Sequence, residues 1–289
     1  MKIAYLILCH KNSEQINQLI LSLDYKDIDF YIHIDKKSNI KSQIINRENI
    51  KYVANEKRID VQWGTVSMIE ATLELIKTMI FSGINYDYVS LISGQDFPLK
   101  NPESISTILE NDKDINYIEI IKPGDKKYLP YLKRNILYYP KSFMKMNYFS
   151  RMCKITYQMI TGGMKHTYFL KRKTDLNFYY GSQWWTLTFD CVKQIYELSN
   201  KRNDILEFYK NSLVPDESYI QTLFMMTNYS QCYKKTKMYT NWEESFNHPK
   251  TFTKRDKDEL KNASKEYFFA RKFDSNLDNE IMSILQFDD

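Results

Sequence analysis

In the segment YVSLISGQDFPLK, residues 88–100, a buried-type strand stops on a polar turn. Tyr88, Val89, Leu91 and Ile92 form a short apolar run. Ser93 and Gly94 break it, Gln95 and Asp96 place polar groups at its carboxyl end, and Pro98 is expected to keep the strand from resuming. Ligands of open α/β sheets bind beyond the carboxyl ends of the strands, so Ser93 to Asp96 is a candidate site wall. The same residues also read as the lead into a capped helix, with Asn101 as N-cap, Pro102 at the first helical position and Glu103 in the first turn. The two readings are compatible.

The flanking sequence repeats this order. Ile3 to Leu8 reads as an apolar strand ending on Cys9, His10 and Lys11. A helix capped by Asn12 or Ser13 follows, with Ile16, Leu19, Ile20 and Leu23 on one face. Phe30 to Ile34 is a second strand, delivering Asp35, Lys36 and Lys37 at its end. Beyond Val61-Gln62-Trp63-Gly64, the residues Val66, Ile69, Leu73, Ile76 and Ile80 step by three and four, an amphipathic helix. Ile115 to Ile121 supplies another strand. The alternation predicts an α/β fold with a central, mainly parallel sheet flanked by helices. There is no GxGxxG and no Walker sequence, which weighs against a dinucleotide enzyme or a P-loop ATPase.

At 289 residues and 43% hydrophobic, the chain can fill one large α/β domain or two small ones. Lys and Arg exceed Asp and Glu by only 41 to 36, which is no nucleic-acid signature in itself. Cys9, Cys153, Cys191 and Cys232 lack metal-ligand spacing and fit a reducing compartment. The apolar start MKIAYLILCH ends at Cys9 without a small-residue cleavage site, so it reads as a strand rather than a signal peptide. No run approaches the roughly 20 apolar residues that span a bilayer. The expectation is a soluble, cytoplasmic protein.

Charge is distributed unevenly. Lys122 to Lys173 holds thirteen Lys or Arg against one acid, Asp125, interleaved with aromatics such as Tyr138, Tyr139, Phe143, Tyr148 and Phe149. Such a segment could hold an anionic substrate, lie on an anionic membrane, bind nucleic acid through phosphate contacts and stacking, or form a solvated insertion.

Order returns with Tyr180 to Thr188, a strand entered through Gly181. The adjacent Trp184 and Trp185 should point to opposite faces, one into the core and one free to stack on a sugar ring. Asp190 is expected to cap a helix through Val192, Ile195 and Leu198. Val214-Pro215-Asp216-Glu217 should open another, with Ile220, Leu223 and Phe224 inward and two carboxylates in its first turn. Trp242, His248 to Lys250, Lys254-Arg255 and Phe268 to Asp274 make a basic, aromatic tail.

YIHIDKKS (31–38), the Trp63-Gly64 pair, LISGQDFPLK (91–100), GSQWWTLT (181–188), VPDESYIQT (214–222) and FFARKFD (268–274) occur in this order. With them the chain resembles the core-2/I-branching N-acetylglucosaminyltransferase and peptide xylosyltransferase family, from about Ile3 to Asp274, in a short form without membrane anchor and stem. The resemblance implies a single GT-A domain over 1–289: a nucleotide-binding half (1–121), a basic aromatic insertion (122–179) and an acceptor and catalytic half (180–289). It implies an inverting glycosyltransferase that uses a UDP-sugar donor and needs no divalent metal. Ser93-Gly94-Gln95-Asp96 agrees, because it offers one carboxylate where a metal-binding motif would offer two.

In the family's pattern Glu217 matches the general base, with Asp216 as the adjacent alternative. Lys272 matches a diphosphate-binding lysine, partnered by an upstream cation: Arg255 by preference, otherwise Lys250 or Lys254. His10, His33 and Asp35 match segments that embrace the uridine, and Ser93 and Asp96 complete the nucleotide wall. Glu119, Arg134 and one of Trp184 and Trp185 are the candidate acceptor contacts. The expected acceptor is a saccharide or lipid-linked saccharide of surface polysaccharide assembly, met at an anionic membrane through the basic segment, with no nucleic acid as partner. A nucleic-acid-binding protein and an inactive scaffold of the same fold are the alternatives.

Overall fold

A computed structural model describes residues 1–139, 152, 156, 172–243 and 248–285. The chain order is β1 (Ile3–Cys9), α1 (Ser13–Leu23), β2 (Ile28–Ile34), β3 (Ile50–Tyr52), α2 (Ser67–Ile80), β4 (Tyr88–Ser93) and β5 (Asp96–Pro98). Next come α3 (Pro102–Asn111), β6 (Asn116–Tyr117), α4 (Tyr128–Ile136) and β7 (Trp185–Thr188). Short helices then alternate with β8 (Tyr233–Lys234), β9 (Met238–Thr240) and β10 (Phe269–Arg271).

The main sheet has the order β3-β2-β1-β4-β7-β6-β8. β1 pairs in parallel with β2 and β4, and β2 with β3; β7 runs antiparallel between β4 and β6. β1, β2 and β4 are covered on both faces, as continuous apolar strands of a parallel sheet require. Helix α2 lays Ile69, Leu75, Ile76 and Met79 inward, each fully buried side chain contributing about 1.5–3 kcal/mol. The Asn101 cap of α3 forms as expected, its side chain accepting the Ser104 N–H at 2.7 Å.

Four local expectations are corrected. Pro98 does not end strand structure, because β5 pairs antiparallel with β10 as the edge of a small β5-β10-β9 sheet, a position where proline's missing N–H costs no ladder bond. Asn12 sits at the start of α1 with φ 57°, and its side chain donates to Asp274 at 3.0 Å instead of capping. Thr188, not Asp190, flanks the helix Phe189–Lys201, with its hydroxyl held by Asn116. The strand expected over Ile115 to Ile121 pairs only at Asn116–Tyr117 and again by a bridge between Ile121 and Tyr180. Between them Gly181 presses on Glu119: a Cβ on Gly181 would meet the Glu119 carbonyl oxygen at 2.0 Å.

Of the basic segment's aromatics, Phe143, Tyr148 and Phe149 lie outside the described residues. Tyr139 is core, packed with Leu137 and Leu213, while Tyr138 is exposed. Arg172 is no solvated charge: its guanidinium donates to the Phe208 and Asn135 carbonyls and, at 2.7 Å, to the Ser212 hydroxyl. Among the described residues no helix is long and apolar enough to cross a membrane.

Candidate active site

The carboxyl ends of β1, β2 and β4 open into a cavity of about 900 Å³. Its wall takes Cys9, His10 and Lys11 from the end of β1, His33, Asp35, Lys37 and Ser38 from β2, and Ser93 to Gln95 from β4. Asp60 to Trp63, Trp184 and Arg271 close the remaining sides. Residues far apart in sequence meet here because parallel strands deliver all their carboxyl ends to one edge.

The β2 end is stiffly held. The Asp35 carboxylate accepts the Lys37 N–H at 2.9 Å, and its backbone N–H donates to the Cys9 carbonyl. Arg58 donates to the carbonyls of Ile34 (2.8 Å), Asp35 (2.5 Å) and Ser38, fixing the loop from behind. His33 is buried and accepts the Ile59 N–H at 2.9 Å; burial pushes its pKa down to about 4, so it is a neutral imidazole with a structural bond. His10 is exposed at the rim, and partial burial followed by the Lys11 charge lowers it.

At the opposite side stands a cationic cluster. Asp96 is 0% exposed and accepts from the Ser93 N–H (2.7 Å), the Ser93 hydroxyl (3.0 Å) and Arg271 (2.6 Å). It is thus absent from the cavity wall and reaches it through Arg271, directly opposite it in the β5–β10 register. The guanidinium also lies 4.5 Å from the Trp184 ring centroid, a cation–π contact. Lys11 pairs with Asp274 at 2.7 Å. Lys272 makes no ion pair among the described residues, and burial, then Arg271 and Lys11, hold its ammonium below the ordinary lysine pKa.

Lys272 adjoins Arg271 in sequence without itself lining the cavity, and the other two cations selected from sequence lie elsewhere. Lys250 is bound to Asp256 (2.7 Å) and Glu259 (3.4 Å), and Arg255 is exposed on the 3-10 turn Lys254–Asp256; neither lines the cavity. Both tryptophans are buried in the core, Trp184 at 6% and Trp185 at 2% exposure, so neither is a free stacking face; Trp184 also lines the cavity, under the Arg271 guanidinium.

A carboxylate center lies outside the cavity's lining residues, near enough that the Arg271 charge opposes the burial-driven rise of the Asp216 carboxyl. Glu217 ends the 3-10 turn Pro215–Glu217 and accepts from Arg134 at 2.6 Å, while Arg134 stacks 4.5 Å from the Tyr131 centroid. Burial raises Glu217 above the ordinary glutamate pKa, with Arg134 opposing and Glu119 adding to the rise. Asp216 is buried with Oδ1 unpartnered among the described residues, and burial together with the Glu217 charge raises it to about 7. Ser218 pins the turn through bonds to Asn135, Tyr209 and the Tyr179 carbonyl, all at 2.8–2.9 Å.

Two backbone links join the carboxylates to the cavity. Gly181 donates to the Glu217 carbonyl at 2.9 Å, Ser182 N–H donates to the Glu119 carboxylate at 2.8 Å, and Trp184 follows two residues later. Val214, at φ 51° just before the turn, donates to the Gly64 carbonyl at 3.0 Å, next to the cavity's 60% exposed Trp63. A β-branched residue in the left-handed region is strained, and such strain collects at functional sites.

The Core-2/I-Branching enzyme family model matches residues 3–268. The chain belongs to this family. Rat (Rattus norvegicus) xylosyltransferase 2 is 23% identical over 313 residues, covering 99% of this chain and 33% of that protein. A Ciona intestinalis xylosyltransferase is 22% identical over 311 residues, covering 99% and 34%. The chain spans about a third of the length of these relatives. The solved apo structure of WbbM, a bifunctional glycosyltransferase, aligns with TM-score 0.42 at 12% identity over 93% of this chain and 45% of its own.

In this family member several wall residues are not singled out as site residues from sequence, among them Lys11 and three that lie inside the quoted motifs, Lys37, Trp63 and Arg271. Arg271 is the one polar position of Phe269-Ala270-Arg271, but two-residue alternation puts it on the same face as Phe269, so it is the pairing with Asp96 that reveals its role. Lys11 and Lys37 stand at strand ends already marked as polar, without a feature that separates them from ordinary surface lysines.

Proposed function

We propose that the protein transfers a sugar from a UDP-sugar to a hydroxyl of a saccharide or lipid-linked saccharide, with inversion and without a divalent metal. The observation that carries this is the short segment from Gly181 to Trp184, which binds the backbone carbonyl of Glu217 and the Glu119 carboxylate and ends on the wall of a cavity edged by cations. A nucleotide sugar needs both: a carboxylate for the acceptor proton and positive charge for the leaving diphosphate.

In this reading the uridine lies at the β1 and β2 ends, with Asp35 accepting hydrogen bonds from ribose or base and His10 at the rim. Arg271, Lys11 and Lys272 face the diphosphate. Glu217 takes the acceptor proton as its oxygen forms a bond to the anomeric carbon; the bond from that carbon to the diphosphate oxygen breaks, and UDP leaves with its new charge compensated. Arg134 orients Glu217, and Glu119 with Trp184 borders the acceptor. The carboxyl-poor turn Ser93 to Asp96 supports metal independence, because its one acid is committed to Arg271. The thirteen-to-one charge count of residues 122–173 supports an electrostatic foothold on an anionic membrane, which would suit a role in surface polysaccharide synthesis on its cytoplasmic side.

A UDP-release assay on a panel of nucleotide sugars, with and without EDTA, tests the proposal. Release from one UDP-sugar, unaffected by EDTA and lost in Lys272→Ala, is the expected result. Inhibition by EDTA that manganese reverses would overturn the metal-independent mechanism, and no UDP binding by calorimetry would overturn the donor assignment.

A further inference from the structure

A second cavity, of about 520 Å³, opens beyond the β2 end and has no part in the mechanism above. Its volume falls within the roughly 300–1,000 Å³ usual for small-molecule sites. Asn39, Asn46 and Asn55, all exposed, line it, and among the described residues their side-chain amides make no hydrogen bond. Lys41 stands over the Tyr52 ring at 4.7 Å, and Arg58 forms the inner wall. Among the described residues no carboxylate lines it. Two cations without a balancing acid select an oxyanion, and amides that both donate and accept suit sugar hydroxyls.

Arg58 makes this cavity more than a surface cleft. From its inner wall the guanidinium reaches the carbonyls of Ile34, Asp35 and Ser38, and Asp35 and Ser38 line the donor cavity. Its hydrogen bonds among the described residues use Nε and Nη2. Nη1 remains to meet an anion.

We propose that this cavity is an accessory site for an oxyanion carried on a saccharide, a carboxylate, sulfate or phosphate ester, and that Arg58 couples its occupancy to the donor loop. The binding half stands independently of the donor assignment; the coupling half rests on it. An anion drawn to Nη1 loads the guanidinium that holds residues 34–38. It thereby changes how firmly Asp35 is presented to the nucleoside.

The test is a ¹H–¹⁵N titration of the full chain, followed at the Asn side-chain amides and the Arg58 Nε–H. Three probes are compared: inorganic sulfate, a glucuronate-containing disaccharide, and a neutral disaccharide. Saturable shifts with the glucuronate sugar, absent with the neutral one and weakened about tenfold by Lys41→Glu, are expected. Sulfate alone binding at these signals would overturn the saccharide half. No saturable shift, or wild-type binding by Lys41→Glu, overturns the site. Lys41 is exposed, so the variant is expected to fold, and its unchanged thermal transition verifies this. UDP affinity measured with and without saturating glucuronate sugar should differ by about twofold or more; equal affinities refute the coupling. If UDP binds in neither case, the donor assignment fails, while the accessory site is still judged by its own signals.

Discussion

Replacing Asp96 by Asn removes the one carboxylate that holds Arg271 at the cavity wall. Asp96 is fully buried, and its partner's side chain is 20% exposed, so the Arg271 charge would be left with little solvent to replace the lost acid. Breaking a buried pair by removing one partner costs about 3–5 kcal/mol. Partial exposure of the guanidinium and the oxygen that Asn keeps for Ser93 reduce this to about 2–3 kcal/mol, roughly 30- to 150-fold in the folding equilibrium. Burial raises the Asp96 carboxyl while Arg271 and Ser93 oppose it, so the acid's own desolvation already offsets part of the attraction. Urea unfolding followed by circular dichroism measures the loss, and calorimetry with UDP reads the second consequence, an affinity about tenfold weaker because Arg271 is no longer aimed. A double-mutant cycle with Arg271→Gln isolates the pair. Stability within about 0.5 kcal/mol of wild type together with unchanged UDP affinity would refute the assignment of Asp96 as the residue that positions Arg271.

Glu217→Gln should lower turnover by about 100- to 10,000-fold while UDP affinity stays at the wild-type value, since a general base acts on the acceptor; wild-type turnover would remove Glu217 from the mechanism. Because burial raises Glu217, the acid limb of kcat/KM should lie above the ordinary glutamate value, and Arg134→Gln, which removes the opposing charge, should move it further up; a limb moving down contradicts the pairing. Asp216 is raised to about 7 in the folded chain against about 3.9 unfolded, so between these values the folded state binds more protons. Stability should therefore fall as pH rises from about 4 through about 7, and Asp216→Asn should flatten that slope in thermal melts recorded across the range.

The fold was legible where hydrophobic period and strand-end polarity agree. β1, β2 and β4 are continuous apolar runs, α2 carries its stripe at helical spacing, and Asn101-Pro102 marks a helix start; each signal lies within a few residues. Pro98 misled because proline's effect depends on whether its missing N–H faces a partner, and only the distant pairing of β5 with β10 makes it an edge. Asn12 misled for a similar reason: Asp274, 262 residues away, competes for its side chain. At the site, Asp35, Ser93 and Trp184 follow from strand ends and from two-residue alternation. Lys250 and Arg255 show the limit, because a basic cluster among aromatics looks alike whether its charges face a ligand or, as with Lys250, two nearby acids.

The pairing of Arg271 with Asp96 also bears on why a basic tail belongs to this site at all. The turn after β4 sits where the parallel strands end, so any charge fixed there faces the same cavity as His10 and Asp35. One carboxylate is too few to hold a divalent ion firmly, but it suffices to orient a planar guanidinium through a 2.6 Å bond. β10 supplies that guanidinium by pairing with β5, and Gln15 secures the arrangement by donating to the Gly94 carbonyl (2.8 Å) and the Phe273 carbonyl (3.2 Å). Positive charge thus enters the site as part of the fold. In the mechanism proposed above, diphosphate affinity then depends on the integrity of the small β5-β10-β9 sheet, and variants that loosen its core at Phe97, Phe252 or Phe273 should weaken UDP binding without touching a ligand-contacting residue.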